Sequence, residues 1–435
     1  MQALPITPIP HPLHAAVRVP GSKSLTNRAL ALAALADGVT TLTNALESDD
    51  SRYFVDSLQR LGFELYAKRS NPSAPPRTSL ESQITVHGRA GLIPANRAEL
   101  FVGNAGTAAR FLTALVTLGQ GEYVIDGNAR MRERPIRDLL DALGQLDVNA
   151  ESASGCPPVK VRATGLPGGH TRVKGEVSSQ FISGLLMVAP YARSPLEIEV
   201  AGELNSKPYI DLTLAIMEDF GVAVERAGYA CFRVTPQCYR AQTEYAIESD
   251  ASAASYFFAA PALCGGAVRV QNISRKSKQG DIAFLDVLAE MGCVVKEGDD
   301  WIEVTGPQGP LQGIDVDLRD LPDTAQTLAA LAPFAATPTT IRGIASARVK
   351  ETDRVAAMCV ELRRLGVTVE EYPDGLKIYP CESIRPAVIQ TYDDHRMAMA
   401  FALVGLRAEG VAIENPGCVS KTFPNYFEVL ETLRQ

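Results

Sequence analysis

The stretch Pro135-Ile-Arg-Asp-Leu-Leu-Asp-Ala-Leu-Gly144 recurs in related form along this chain of 435 residues. It opens with a residue that favours helix initiation and sets apolar residues at spacings of three and four, as in an amphipathic helix. Segments of this kind begin at intervals of 71 to 85 residues, at Asp50, Pro135, Pro208, Asp281, Asp353 and Pro424. Such a period indicates a structural unit that buries its apolar surface by packing on copies of itself.

A second series of alanine-rich segments alternates with the first. Residues 29–35, Ala-Leu-Ala-Leu-Ala-Ala-Leu, are apolar on every side, which is typical of a helix buried inside a protein. These segments run for only about 10–14 residues, which is too short to span a bilayer. Each follows a small or acidic residue that we predict to cap the helix, and these residues are Ser24, Gly106, Ser178, Asp250, Asp323 and Asp394.

Runs rich in β-branched residues follow both kinds of helix, as in Val367-Thr-Val369. We therefore predict an α/β fold in which sheets surround buried helices. Glycines stand where a left-handed residue would end the amphipathic helices, at Gly62, Gly221, Gly292 and Gly366.

Six units divide most simply into two domains of three. The pattern is interrupted near residues 236–249, so we predict one domain at 22–245 and another made of 1–21 and 246–435. The first interval is about ten residues longer than the others, and residues 69–83 are predicted to form the exposed loop that accounts for it.

The composition argues against several classes of protein. A net charge of −8 disfavours a general nucleic-acid or membrane-surface partner. The eight cysteines and five histidines lack the spacing of metal ligands, so we predict no metal site and reduced thiols. The N-terminal sequence shows no basic region followed by an apolar run, so we expect no signal peptide and a cytoplasmic location.

Lysine and arginine gather at the predicted helix starts. A helix N-terminus offers unpaired N–H groups and partial positive charge, and added cations make it a strong anion site. Any single one of these residues could be a solvated turn charge, but their recurrence at equivalent points of the repeat favours anion binding. Asp323 and Glu351 lie in the same register, where each is either a helix-start charge or a catalytic carboxylate.

Two glycine-containing motifs do not fit the common nucleotide sites. Gly21-Ser-Lys23-Ser lacks the adjacent Gly-Lys of a P-loop and the glycine that precedes it. Gly103-Asn-Ala-Gly-Thr-Ala-Ala-Arg110 lacks the third glycine and the acidic partner of a dinucleotide fingerprint. Both are better explained by close backbone approach to a small anion at a helix N-terminus.

Eight motifs along the chain, taken together, resemble those of the 5-enolpyruvylshikimate-3-phosphate synthases. They are Pro20-Gly-Ser-Lys-Ser24 with Asn27-Arg28, Gly103-Asn-Ala-Gly-Thr-Ala-Ala-Arg110, Arg132-Glu-Arg-Pro135, Ser178-Ser-Gln180, Ser206-Lys-Pro-Tyr209, Arg348-Val-Lys-Glu-Thr-Asp-Arg354, Asp394-His-Arg-Met397 and Lys421-Thr-Phe-Pro424. The resemblance implies two domains of three βαβαββ units, an inside-out α/β barrel that closes around the substrates. It also implies an active site in the interdomain cleft, with residues 22–245 on the shikimate 3-phosphate side.

The reaction that the resemblance implies transfers the enolpyruvyl group of phosphoenolpyruvate to the 5-hydroxyl of shikimate 3-phosphate, through a tetrahedral intermediate, without metal or cofactor. Asp323 would be the base, Glu351 the acid and Lys23 a further proton carrier. The residues implied to bind shikimate 3-phosphate are Lys23, Ser24, Arg28, Ser178, Ser179, Gln180, Ser206, Asp323, Ser346 and Lys350. Those implied to bind phosphoenolpyruvate are Lys23, Gly106, Arg134, Gln180, Arg354, Arg396 and Lys421.

Two residues depart from the bacterial pattern of the family. Ser346 stands where asparagine is usual, and Phe111 stands where proline is usual, directly after Arg110. Gly106 is present, so the resemblance implies that glyphosate competes with phosphoenolpyruvate. We also expect a monomer.

Two other functions stay open at this point. A UDP-N-acetylglucosamine enolpyruvyl transferase shares the fold and the donor, but its usual loop cysteine is missing, since residues 107–134 contain none. A non-enzymatic ring of six repeats around DNA would need basic residues along helix faces, whereas here they cluster at helix starts.

Overall fold

The computed structural model describes residues 3–68 and 82–434 and confirms the α/β class. Along this part of the chain there are twelve α-helices: α1 Lys23–Leu35, α2 Asp49–Arg60, α3 Gly106–Leu115, α4 Arg137–Gly144, α5 Ser179–Val188, α6 Lys207–Asp219, α7 Ala251–Cys264, α8 Phe284–Glu290, α9 Ala325–Leu331, α10 Arg354–Arg364, α11 His395–Arg407 and α12 Tyr426–Glu431. Several single 3₁₀ turns accompany them, including Gly280–Ala283, Ala345–Val349 and Pro416–Lys421.

The described strands are mostly short. They are β1 Leu4–Pro5, β2 Leu13–Arg18, β3 Asp37–Thr43, β4 Glu64–Lys68, β5 Gln83–Arg89, β6 Arg97–Phe101, β7 Gln120–Asp126, β8 Asn149–Glu151, β9 Val159–Thr164, β10 Gly169–Lys174, β11 Leu196–Ala201, β12 Glu225–Ala227, β13 Cys231–Val234, β14 Glu244–Ala246, β15 Gly266–Gln271, β16 Val294–Glu297, β17 Trp301–Thr305, β18 Asp315–Asp317, β19 Thr339–Arg342, β20 Val369–Tyr372, β21 Gly375–Ile378, β22 Ala387–Ile389 and β23 Val411–Ile413.

These strands form six open sheets, five of which share one four-stranded topology. In the sheet β6-β7-β9-β8, β6 and β7 are parallel, with Arg97 opposite Glu122, and the other two pairings are antiparallel. Four further sheets, β14-β3-β5-β4, β10-β11-β13-β12, β2-β15-β17-β16 and β18-β19-β21-β20, repeat this order. The sixth, β22-β23-β1, has three strands. The sequence repeat is therefore a repeat of structure, and none of these sheets closes on itself as a barrel.

The described residues divide into two compact units. The N-terminal unit comprises residues 21–68 and 82–247, and the C-terminal unit comprises 3–20 and 248–434. The first strand of the first sheet in each unit comes from a segment that is distant in sequence. In the C-terminal unit β2 pairs with β15, with Leu13 opposite Gly266, and in the N-terminal unit β14 pairs with β3, with Glu244 opposite Thr41.

Each unit has its own apolar core, built on the alanine-rich helices. In the N-terminal unit, α3 is buried along its whole length, as predicted for a helix without a polar face. In the C-terminal unit, the same is true of α9, while α11 is buried from His395 to Leu406. Helix α2 instead buries one face through Phe54 and Leu58, as its amphipathic pattern predicts.

The predicted helix ends are correct at some positions and wrong at others. Ser178, Asp250, Asp353 and Asp394 are N-caps whose side chains accept backbone N–H groups. The four predicted C-terminal glycines have left-handed φ values between +83° and +102°, at Gly62, Gly221, Gly292 and Gly366.

Three predicted caps of the apolar helices are wrong. The hydroxyl of Ser22, not Ser24, accepts the first-turn N–H of α1, because Ser22 has the extended backbone that a cap requires. Gly106 is the first residue of α3 rather than its cap. Asp323 precedes the N-cap of α9 by one residue, and its carboxylate binds cations instead of the helix N-terminus.

Some amphipathic helices also start later than predicted. Helix α4 begins at Arg137 and α12 at Tyr426, each two residues after the predicted proline. Asp281 lies in the 3₁₀ turn that precedes α8. Helix α2 instead starts one residue earlier than predicted, because Asp50 is its second residue and Ser48 is its cap.

Most of the predicted loop at 69–83 lies outside the described residues. Its last two residues do not fit an exposed loop, because Ser82 is buried and Gln83 begins β5. No helix within residues 3–68 and 82–434 is long and apolar enough to cross a membrane.

Candidate active site

Seven residues at helix starts of the C-terminal unit form what we call the carboxylate–arginine cluster. It consists of three carboxylates, two arginines and two lysines: Asp323, Glu351, Asp394, Arg354, Arg396, Lys350 and Lys421. The residues come from the segment before α9, the start of α10, the start of α11 and the 3₁₀ turn Pro416–Lys421. These elements lie together because each of the repeats places its buried helix and its amphipathic helix in the same way.

Arg354 lies at the centre of the cluster and is 1% exposed. Its Nε donates to Asp394 Oδ2 at 2.7 Å, its Nη1 to Asp323 Oδ1 at 3.0 Å and its Nη2 to Glu351 Oε2 at 2.8 Å. Burial acts to lower the pKa of Arg354, but the charges of Asp394, Glu351 and Asp323 together raise it above the ordinary arginine value. Arg354 therefore stays positively charged and binds all three carboxylates.

Asp323 receives hydrogen bonds from three cations. Lys350 Nζ donates to its Oδ1 at 2.7 Å, and Arg396 Nη2 donates to its Oδ2 at 2.8 Å, in addition to the bond from Arg354. Arg396 also contacts the hydroxyl of buried Tyr256, whose pKa burial raises to about 12. The tyrosine thus remains a neutral neighbour of the arginine.

Glu351 has a similar but looser environment. Its Oε2 accepts from Arg354, and its Oε1 lies 3.8 Å from Lys421 Nζ. Asp323 and Glu351 therefore share Arg354, and each has one lysine of its own. Ser346 is half-buried in the 3₁₀ turn Ala345–Val349, five residues before Glu351.

A buried acid lies behind this cluster. Asp281 is 5% exposed and accepts a hydrogen bond from the Ser252 hydroxyl. Burial raises the pKa of Asp281 to about 6, and the negative charge of Asp323 adds to the shift. The sequence predicts Asp281 only as a helix start. Its burial near Asp323 depends on how α7, which carries Ser252, packs beside α9, which follows Asp323.

In the N-terminal unit, the start of α1 carries Lys23 and Ser24, both half-buried. Lys23 Nζ lies 3.9 Å from Oδ2 of Asp50, which is buried at the start of α2. The carboxylate gives the lysine a fixed neighbour of opposite charge and limits the directions in which its side chain extends.

Arg28, one turn along α1, is 1% exposed and donates only to uncharged oxygens. Its Nε donates to Thr213 Oγ1 at 2.8 Å and its Nη1 to the Ser24 carbonyl at 3.0 Å. Its Nη2 donates to Ser183 Oγ at 3.3 Å and to the Tyr209 carbonyl at 3.2 Å. Burial lowers the pKa of Arg28 to about 10, because the charged guanidinium loses hydration without gaining a carboxylate.

The start of α3 brings Gly106 against Arg134. A Cβ atom added at Gly106 would lie 2.3 Å from Arg134 Nη2, so only glycine allows the guanidinium to occupy this place. Arg134 Nη1 is held by the Asn104 carbonyl at 2.9 Å and by its side-chain oxygen at 3.0 Å. The guanidinium thus lies beside the first N–H groups of α3, an arrangement suited to an anion.

The remaining predicted residues lie at the starts of α5 and α6. Ser178 caps α5, Ser179 is buried, and Gln180 Nε2 donates to Thr107 Oγ1 of α3 at 3.3 Å. Ser206 precedes α6 in a left-handed conformation, with φ of 59°.

Not every basic residue at a helix start belongs to such a group. Arg130 and Arg132 pair with Glu133 and Asp126 on the surface. Arg110 holds the carbonyls of Gly106 and Pro135 from within the protein.

Sequence analysis missed several residues that hold the predicted ones in place. They are Asp394, known only as a cap, and Asp50, Asn104 and Thr107. Asn104 and Thr107 lie inside a recognised motif, and Asp50 was predicted only as a helix start. Within the described ranges, no group of three or more His, Cys, Asp or Glu side chains is arranged to hold a metal ion.

The chain is similar to one family of known proteins along nearly its whole length. A family model described as EPSP synthase (3-phosphoshikimate 1-carboxyvinyltransferase) matches residues 8–430. The chain belongs to the EPSP synthase family. Relatives named 3-phosphoshikimate 1-carboxyvinyltransferase include one from Nostoc punctiforme, 52% identical over 430 residues that make up 98% of each chain. One from Thiobacillus denitrificans is 51% identical over 416 residues, 94% of this chain and 95% of the relative.

Solved structures of EPSP synthases share the fold. The structure of EPSP synthase from Acinetobacter baumannii matches with a TM-score of 0.78 and 24% identity, over 99% of this chain and 98% of that one. The EPSP synthase match leaves no support for the UDP-sugar transferase or the DNA-encircling ring. The structure also argues against the ring, because Arg354 and Arg396 are buried among carboxylates rather than displayed along helix faces.

Proposed function

We propose that this member of the EPSP synthase family transfers the enolpyruvyl group of phosphoenolpyruvate to the 5-hydroxyl of shikimate 3-phosphate, releasing phosphate. The observation that carries the proposal is the pairing of Asp323 with Glu351. Both carboxylates contact Arg354, and each contacts a separate lysine. Two carboxylates within one cluster, each with a lysine of its own, suit a reaction that needs a base and an acid.

The chemistry assigns one proton to each carboxylate. Glu351 delivers a proton to the methylene carbon of phosphoenolpyruvate, which leaves positive charge on the carbon that carries the phosphate. Asp323 takes the proton of the 5-hydroxyl as its oxygen bonds to that carbon, giving the tetrahedral intermediate. Glu351, now a carboxylate, then takes a proton back from the methyl group as the bond between this carbon and the phosphate oxygen breaks, which yields the enolpyruvyl ether and phosphate. Lys23 assists these proton transfers.

The cationic helix starts bind the anionic substrates. Shikimate 3-phosphate contacts Lys23, Ser24, Arg28, Ser178, Ser179, Gln180, Ser206, Asp323, Ser346 and Lys350. Phosphoenolpyruvate contacts Lys23, Gly106, Arg134, Gln180, Arg354, Arg396 and Lys421. Fixing both substrates beside the two carboxylates, with water excluded, would supply much of the acceleration.

We also propose how the protein is inhibited, its oligomeric state and its location in the cell. Glyphosate competes with phosphoenolpyruvate, the protein works as a monomer, and it acts in the cytoplasm. An inhibition constant for glyphosate far above the Michaelis constant for phosphoenolpyruvate would contradict the first, and sedimentation analysis tests the second. Fractionation of cells tests the third.

Phosphate release from the purified protein tests the function. We expect release only when shikimate 3-phosphate and phosphoenolpyruvate are both present, with each omitted in turn as the control. Release with a UDP-sugar acceptor in place of shikimate 3-phosphate, or no release from folded protein, would overturn the proposal.

A further inference from the structure

Phe111 lies beneath the guanidinium of Arg28 in the N-terminal unit. The Cζ atom of Arg28 is 5.1 Å from the centre of the Phe111 ring, and both side chains are 1% exposed. A guanidinium at this distance from a ring face is attracted by the ring quadrupole, and the attraction grows when water is excluded. Phe111 is therefore an electrostatic partner of Arg28 as well as a core residue.

The ring matters because Arg28 lacks a compensating anion. Among residues 3–68 and 82–434, no carboxylate lies within 4.0 Å of this guanidinium. A buried cation without an ion-pair partner is costly, and its remaining stabilisation comes from hydroxyl and carbonyl oxygens and from the ring. We call Ser24, Ser183, Tyr209, Thr213 and Phe111 the Arg28 cradle.

The cradle joins the helices whose starts carry the predicted shikimate 3-phosphate ligands. Arg28 and Ser24 belong to α1, Ser183 to α5, and Tyr209 and Thr213 to α6. Helix α3 supplies Phe111. This helix packs closely against α5 at Gly184 of α5. A Cβ atom added there would lie 3.3 Å from Ala114 Cβ and 3.8 Å from Phe111 Cδ1.

We propose that Phe111 is a positioning residue for shikimate 3-phosphate, which acts by holding the Arg28 guanidinium against α1, α5 and α6. This inference rests on the proposed function. Loss of the ring electrostatics weakens the hold on Arg28 and shifts the Ser24 carbonyl and the start of α6 with it. Phosphoenolpyruvate binding depends less on Phe111, because Arg28 makes no contact with Gly106 or Arg134 among the hydrogen bonds of the cradle.

Fluorinated phenylalanines test the inference without changing the shape of the ring. We would replace Phe111 in the full chain by 4-fluoro-, 3,5-difluoro- and 3,4,5-trifluorophenylalanine and measure KM for both substrates. The KM for shikimate 3-phosphate should rise stepwise with fluorination, to about tenfold for the trifluoro residue. The KM for phosphoenolpyruvate and kcat should each change less than about twofold, because shape and volume are kept.

Phe220 is the matched control. It is also fully buried in the N-terminal unit, but it packs edge-on against Tyr239, at 6.5 Å between ring centres. The same fluorinated series there should leave both KM values unchanged. A flat series at Phe111, or an equal response at Phe220, would overturn the inference, as would an equal rise in both KM values at Phe111.

The Phe111→Leu variant gives a second measurement with natural residues. It removes the ring face and keeps an apolar side chain, so KM for shikimate 3-phosphate should rise at least as much as in the trifluoro protein. An unchanged KM in a folded Phe111→Leu protein would contradict the inference alone. Wild-type protein that releases no phosphate would overturn the proposed function, and this inference with it.

Discussion

Arg354, the first residue of α10, and Arg28, one turn into α1, are both almost fully buried, but their surroundings are opposite. Arg354 contacts three carboxylates, and their charges raise its pKa despite burial. Arg28 contacts neutral oxygens and an aromatic ring, and burial lowers its pKa to about 10. Carboxylates thus balance the buried charge of Arg354, whereas only neutral oxygens and an aromatic ring stabilise the buried charge of Arg28.

The largest expected effect comes from removing the charge of a cluster carboxylate. Asp323→Asn and Glu351→Gln keep the side-chain shape but cannot exchange the required proton, so kcat should fall by about 10²–10⁴-fold. Binding of both substrates should change much less, because the cations of the cluster remain. Single-turnover kinetics and equilibrium binding would measure the two effects separately. A near-normal kcat in either variant removes that residue from its role.

Replacing each arginine by methionine tests the comparison directly. Arg354→Met leaves the buried carboxylates of Asp394 and Glu351 and the partly buried carboxylate of Asp323 without their shared cation, and should cost about 3–5 kcal/mol of unfolding free energy. Arg28→Met leaves only neutral groups, and Thr213 and Ser183 already bond to each other at 2.8 Å, so about 1–3 kcal/mol is expected. Urea unfolding measures both. Equal losses would show that charge balance does not distinguish the two environments.

The Asp281→Asn substitution should make stability less dependent on pH. The pKa of Asp281 in the folded protein, about 6, lies above the usual value for an aspartate. The folded state therefore binds the proton more tightly, and stability falls as pH rises from about 4 to about 6. The amide of the variant cannot ionise, so the variant should gain up to about 3 kcal/mol at pH 8 and nothing at pH 4.

Unfolding measured at both pH values checks this expectation. The control is Asp286→Asn, because the side chain of Asp286 is 62% exposed and pairs with Arg275 at the surface. That change should be small at either pH. A gain of equal size at pH 4 and pH 8 for Asp281→Asn would rule out ionisation as its cause.

Gly106→Ala should have the smallest effect and should act on the N-terminal unit. The new Cβ meets the end of the Arg134 side chain, which can move away, so the fold should be kept. Displacing the guanidinium should raise KM for phosphoenolpyruvate by about tenfold, because a ligand group leaves its place. The control is Gly144→Ala, since no atom lies within 4 Å of a Cβ there. An unchanged KM for Gly106→Ala would show that Arg134 does not bind this substrate.

The sequence predicted those features that depend on local pattern. The buried helices, the left-handed glycines after α2, α6, α8 and α10, and the caps at Ser178 and Asp394 all follow from periodicity and capping preferences. The prediction that Ser24 caps α1 was wrong because two serines lie two residues apart. Only the backbone conformation, which is extended at Ser22, decides which of them is the cap.

Features that depend on helix packing could not be predicted. Phe111 was noticed only as an unusual residue, since its contact with Arg28 requires the approach of α1 and α3 within one core. Two of the three ion pairs of Arg354 likewise join residues about 30 and 40 positions apart, which no local pattern specifies. Motifs marked the candidate site residues, whereas packing determined which residues they contact.

The pairing of β2 with β15 has a consequence for synthesis of the chain. Residues 13–18 leave the ribosome about 250 positions before the strand they join, which is tens of seconds at about 5–20 residues per second. During this delay β2 has no strand to pair with, whereas residues 21–247 include both β3 and its partner β14. We therefore expect the N-terminal unit to be able to fold while translation continues, whereas the C-terminal unit must wait until β15, the partner of its first strand, has been made.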